Sequence, residues 1–148
     1  MLKFFRSAVV VVASLLIISA VPPAMAEDKS LPEYKYVLHI DDMDPSKQEL
    51  ILNNARNLLD AYPPGDVDIE IVAYGPGLRL MFAENVNAPR MDLLAQSGVR
   101  FSACDNTLKG MAKLLGEEPK LNPVATVVPG GIVRIGQLVK QGYIYVKP

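Results

Sequence analysis

The 148-residue chain holds one cysteine and one histidine, and both scarcities exclude chemistry. A single cysteine rules out an internal disulfide and a Cys-x-x-Cys exchange cycle, so stability rests on packing and any thiol chemistry belongs to one sulfur. No spacing of Cys, His and carboxylates makes a metal-ligand motif, and neither a metal nor a cofactor is expected. Basic clusters are missing too. Fifteen Lys and Arg against 16 Asp and Glu leave a net charge of −1, which argues against nucleic acid or an anionic membrane surface as a partner. Internal repeats are absent, and no apolar run reaches the roughly 20 residues that a membrane-spanning helix needs.

The first 26 residues read as a signal peptide. Lys3 and Arg6 form a short basic region, Ala8 to Val21 is uncharged and apolar, and Ala24-Met25-Ala26 has the small-x-small pattern of a signal-peptidase site. Cleavage is expected after Ala26, which makes the protein periplasmic, and no cysteine follows the apolar run to take a lipid. Removing 26 residues leaves 122, enough for one domain and too few for two. Loss of Lys3 and Arg6, with no acid, takes the net charge from −1 to −3.

Residues 27–33 are a polar lead-in, and the single domain is expected over 34–148. Tyr34 to Ile40 predicts a first strand, ended by Asp41-Asp42. Asp44-Pro45 opens a helix in which Asp44 caps and Pro45 takes the first position; Leu50, Ile51, Leu58, Leu59 and Tyr62 form its apolar stripe. Val67 to Tyr74 predicts a second strand, then a tight turn at Gly75-Pro76-Gly77 and a short helix over Leu78 to Phe82. Pro89 to Ser97 predicts another helix, with Gly98 as its stop. Val99, Phe101 and Ala103 alternate with Arg100, Ser102 and Cys104 as in a strand. From Asp105 the period changes: Leu108, Met111, Ala112 and Leu115 fall on a helix face, closed by Gly116. The β-branched run Val124 to Val128 predicts a buried strand. After Pro129-Gly130-Gly131 a helix carries Ile132, Ile135, Leu138 and Val139, and Tyr143 to Val146 makes the last strand. This alternation predicts a three-layer α/β/α fold with a mostly parallel five-stranded sheet.

Right-handed crossovers bring every strand-to-helix turn to one edge of such a sheet. Cys104 stands there, beside the first free amides of a helix, where a thiolate is stabilised. Asp105 opposes that charge, and Lys109 is a candidate to offset it. A reactive thiolate and a small packed side chain both fit Cys104 at this point. Asp41-Asp42, Gly75 and Gly77, and Gly130 and Gly131 converge on the same edge, where glycines let amides approach an anion, although tight turns alone account for them. His39, Asp41 and Tyr74 are auxiliary candidates. His39 serves as base to Cys104 only if the fold brings the two together.

Three segments carry a resemblance: Ala-Tyr-Gly-Pro-Gly-Leu at 73–78, Gly-Val-Arg-Phe-Ser-Ala-Cys-Asp-Asn-Thr-Leu at 98–108, and the run from Val127 through Pro129-Gly130-Gly131-Ile132 to Tyr143. Together they resemble the DsrE/DsrF-like family over nearly the whole mature chain. The resemblance implies an α/β/α fold, homo-oligomers and a cysteine, here Cys104, that carries sulfur as a persulfide between a donor and an acceptor protein or small sulfur compound. Asn106 and Thr107 would position amides around the sulfur. Two features depart from the sulfur-relay members: they are cytoplasmic, whereas this chain has an export signal, and they work with dedicated partners that nothing here names. The expected function is periplasmic sulfur carriage on Cys104. The alternatives are a non-catalytic anion-binding or assembly module, and a thiol-redox protein acting through mixed disulfides.

Overall fold

The structure is a computed structural model and describes residues 31–148. The signal peptide, its cleavage after Ala26 and most of the polar lead-in lie outside the described residues. Ten elements follow in order: β1 (Tyr34–Ile40), α1 (Pro45–Ala61), β2 (Val67–Ala73), a 3-10 helix (Gly75–Met81), α2 (Ala88–Gln96), β3 (Arg100–Cys104), α3 (Asp105–Leu115), β4 (Ala125–Val128), α4 (Gly131–Lys140) and β5 (Ile144–Val146). The five strands form one all-parallel sheet in the order β4-β3-β2-β1-β5.

That order determines which face each helix covers. The first three crossovers step the same way along the sheet, so right-handedness lays α1, α2 and α3 on one face; the last runs back from β4 to β5 and places α4 on the other. The α1–α3 side holds the main core, with Leu38, Ile40, Ile69, Ile71, Ala73, Phe101 and Ala103 from the strands meeting Ile51, Leu52, Met91, Leu94 and Leu108. The α4 side has a much smaller apolar cluster of Val37, Val72, Ile135, Leu138 and Tyr143. Charged residues fill the rest of that face. Glu70, 1% exposed, accepts bonds from Arg134 Nε at 2.7 Å and Nη2 at 2.7 Å and from the Ser102 hydroxyl at 2.6 Å. Burial works against the Glu70 charge, but those donors and nearby Arg100 outweigh it and hold its carboxyl below the usual range.

Several expectations need correction. The turn at Gly75-Pro76-Gly77 is the first turn of the 3-10 helix rather than a separate loop. β4 is not a buried strand: it stands at the sheet edge, with Thr126 and Val127 exposed. A β-branched run is consistent with either position, and only strand order decides between them. The apolar stripes are narrower than their spacing suggested, because Leu50 on α1, Leu115 on α3, and Ile132 and Val139 on α4 are exposed.

The start of α1 forms as the sequence predicts. Asp44 Oδ1 accepts the Ser46 amide at 2.8 Å and its hydroxyl at 2.7 Å, with Pro45 in the first turn. One glycine is required by space. A Cβ on Gly77 would stand 2.5 Å from the Ile40 carbonyl oxygen, so only hydrogen lets the 3-10 helix press against the end of β1.

Candidate functional site

Cys104 is the last residue of β3 and the N-cap of α3. Strand alternation sends Ala103 into the main core and Cys104 to the α4 side. Its 5% exposure places the thiol just beneath the surface. Burial is the largest influence on it and pushes its pKa up. The Thr107 hydroxyl and the backbone N–H groups of Gly131, Thr107 and Asn106 outweigh burial, and the thiol lies below its ordinary value. The thiol makes no formal capping bond, so these donors act by stabilising the thiolate.

The Thr107 hydroxyl is oriented by a second bond. Gly75 N–H donates to Thr107 Oγ1 at 3.0 Å, which uses the oxygen as acceptor and leaves its proton to point at sulfur. Gly75 has φ +54°, a left-handed conformation that glycine adopts without strain. Gly131 contributes its amide, and its lack of a side chain matters as well: a Cβ there would stand 2.7 Å from Tyr74 Cδ1. Gly130 lies beside the Asn106 side-chain amide. Gly77 faces the backbone of Ile40 and Asp41 instead, away from the thiol donors. Lys109 donates to Asp105 Oδ2 at 2.6 Å, so its charge offsets the neighbouring carboxylate without touching sulfur.

The fold also gathers the auxiliary candidates. His39 stacks on Tyr74 with ring centroids 4.4 Å apart, and Tyr74 packs on Gly131. His39 is thus joined to the thiol site through the Tyr74 ring. His39 Nδ1 bonds the Tyr145 hydroxyl at 2.8 Å, and Lys147 donates to Asp41 Oδ2 at 2.6 Å. Burial lowers the His39 pKa, Asp41 raises it, and Lys147 lowers it further; the balance keeps the ring neutral near pH 7. The Lys147 bond holds the Asp41 carboxyl below its usual value.

Sequence reasoning missed Tyr145 and Lys147. Tyr145 lies in β5 and Lys147 just past its end, and nothing local shows that β5 pairs with β1. Among the described residues no group of three or more His, Cys, Asp and Glu side chains is arranged to hold a metal, and no helix is long and apolar enough to cross a membrane.

Fold and site together define a class: an all-parallel five-stranded α/β protein with a lone thiol among amide donors at the carboxyl edge of its sheet. Among solved structures the chain is similar to MTH1491 from Methanobacterium thermoautotrophicum, a protein of unknown function, with 33% identity, a TM-score of 0.71, and coverage of 78% of this chain and 99% of that one. The chain belongs to the family of MTH1491. It also has the fold of BT1422 from Bacteroides thetaiotaomicron, a conserved protein of unknown function, with 15% identity, a TM-score of 0.52, and coverage of 77% and 94%. No family model matches the chain, and no curated protein does.

Proposed function

We propose that this protein is a DsrE/DsrF-like sulfur carrier that holds sulfane sulfur as a persulfide on Cys104. The observation that carries the reading is the set of four donors that together overcome the burial of one thiol. A buried filler has no use for such donors, whereas a nucleophile that must be ionised near neutral pH does. The Cys104 thiolate attacks the terminal sulfur of a donor persulfide, the donor's S–S bond breaks, and the donor leaves as its own thiolate. An acceptor thiolate then removes the same sulfur by the same exchange. Neither step has a net oxidation, so no redox cofactor is called for.

With so little of Cys104 open, the site favours a small sulfur compound or one protruding persulfide over a flat protein face. The export signal in residues 1–26 makes the compartment periplasmic in this reading. Homo-oligomers belong to it as well, supported by the exposed apolar residues Val127, Ile132 and Val133. The same exposed residues favour a second reading, an assembly module in which Cys104 only packs.

The test is the intact mass of the folded protein after brief exposure to polysulfide. One added sulfur atom, absent in Cys104→Ser, together with alkylation that persists well below the free-thiol pKa of about 8.5, is the expected result. A thiol inert to both reagents would sink the carrier reading and leave the assembly module.

A further inference from the structure

Edge strands are normally blunted by a charge, a proline or a bulge, because their free N–H and C=O groups pair with any extended chain that reaches them. β4 stands outermost in the sheet, reads Ala-Thr-Val-Val, and keeps unbroken register with β3. None of those devices is present within it. The opposite edge differs: β5 is shorter and runs straight into Lys147 and Pro148.

β4 also borders a groove. Val127, in register with the core residue Ala103, points to the α3 side of the sheet, where a cavity of about 870 Å³ runs between β4, α3 and the segments 82–84 and 117–121. Val127 and Leu115 line it and are 48% and 54% exposed, so both present apolar surface to an occupant. Its rim is acidic. Glu84, Glu117 and Glu118 stand there against Lys120 alone, and none of the three carboxylates has an ion-pair partner among the described residues. A second copy of β4 has no charged residue and would leave them unanswered. A chain with lysine or arginine among its apolar residues supplies the strand, the side chains and the counter-charge together.

We propose that β4 and this groove bind an extended segment of a partner protein, rich in apolar residues and in lysine or arginine, which adds to the sheet as a further strand. Its backbone pairs with the free edge of β4, alternate apolar side chains enter the groove beside Val127 and Leu115, and its cations face Glu84, Glu117 and Glu118. Cys104 lies on the other face of the sheet, so the proposal goes beyond sulfur carriage and does not rest on it.

The probe is a fluorescently labelled, acetylated octapeptide of alternating valine and lysine, titrated into the full chain and followed by fluorescence anisotropy. Saturable binding is expected at low salt, weakening as salt is added, and the same peptide with glutamate in place of lysine should not bind. N-methylation of the valines or of the lysines keeps every side chain and charge. One of these two peptides should lose binding, because its methyl groups replace the N–H groups that face β4. Val127→Asp adds an acid and removes the apolar wall, and it should weaken binding, the opposite of what charge alone would do. Glu117→Gln combined with Glu118→Gln should weaken it about three- to tenfold, the worth of two exposed charge contacts. Cys104→Ser should bind as the parent does, so an inert Cys104 would defeat the sulfur reading and leave this one standing. The proposal is overturned if the valine-lysine peptide does not bind, if both methylated peptides bind as well as their parent, or if Val127→Asp binds more tightly. A free chain that forms dimers which Val127→Asp dissociates would overturn it as well, by giving β4 to a second copy.

Discussion

The two faces of the sheet are built on different chemistry. Toward α1, α2 and α3 the strands present aliphatic and aromatic residues to a continuous core, whereas toward α4 the same strands present Asp68, Glu70, Tyr74, His39, Arg100, Ser102 and Cys104. One face holds the fold together. The other carries the polar groups, and its charges are paired at close range: Tyr143 donates to Asp68, Arg100 bridges Asp68 and Glu70, and Arg134 grips Glu70 with two nitrogens. A sheet that buries enough apolar surface on one side can keep charged and reactive residues on the other, provided each buried charge is matched. The thiol site stands at the carboxyl end of that second face, where strand ends and helix amides meet.

Substitutions should separate the faces, the largest effect coming from the core. Phe101→Ala, at a residue 1% exposed, should cost about 3–5 kcal/mol in denaturant unfolding while leaving the pH profile of Cys104 alkylation in place in the folded fraction. On the polar face Arg134→Met removes both bonds to a buried carboxylate, and about 2–3 kcal/mol is expected; adding Glu70→Gln should return part of that loss.

The Glu70 pair also has a pH signature. Its folded pKa is depressed, so its contribution is complete above the unfolded value of about 4.3 and is lost as pH falls through the folded value. Wild-type stability should therefore fall more steeply below about pH 4 than that of Glu70→Gln. A parallel fall in the two proteins would show that the polar face gains nothing from this charge.

Smaller effects sharpen the role of the sheet edge. Gly131→Ala drives a Cβ into Tyr74 and should cost about 1–2 kcal/mol; it should also shift the alkylation profile toward higher pH, because the Gly131 amide moves with α4. Thr107→Val removes the hydroxyl donor and should slow alkylation of Cys104 at pH 7 about five- to tenfold, the worth of one hydrogen bond of roughly 1 kcal/mol. An unchanged rate would mean that the backbone amides alone hold the thiolate.

Local signals carried the element order. Asp44-Pro45 and Gly116 marked helix ends because capping and left-handed glycine are properties of a few neighbouring residues. The change of period at Cys104 marked the junction of β3 and α3 for the same reason. The edge position of β4 was not legible, since Val124 to Val128 has the same composition whether a neighbour stands beyond it or not. Nor was the partnership of His39 with Tyr145, which are 106 residues apart and meet only because the last crossover returns to β1.

The amino-acid pattern by itself determined an alternating α/β chain with one sulfur at the start of a helix and one imidazole near the end of a strand, because periodicity, caps and composition are written in short stretches. Tertiary structure alone decided that β1, β2 and β3 lie side by side, that α4 crosses to the opposite face, and that the Gly131 amide and the Thr107 hydroxyl meet at Cys104. Those outcomes depend on the handedness of crossovers and on which strand edges remain free to pair, and both are properties of the whole sheet.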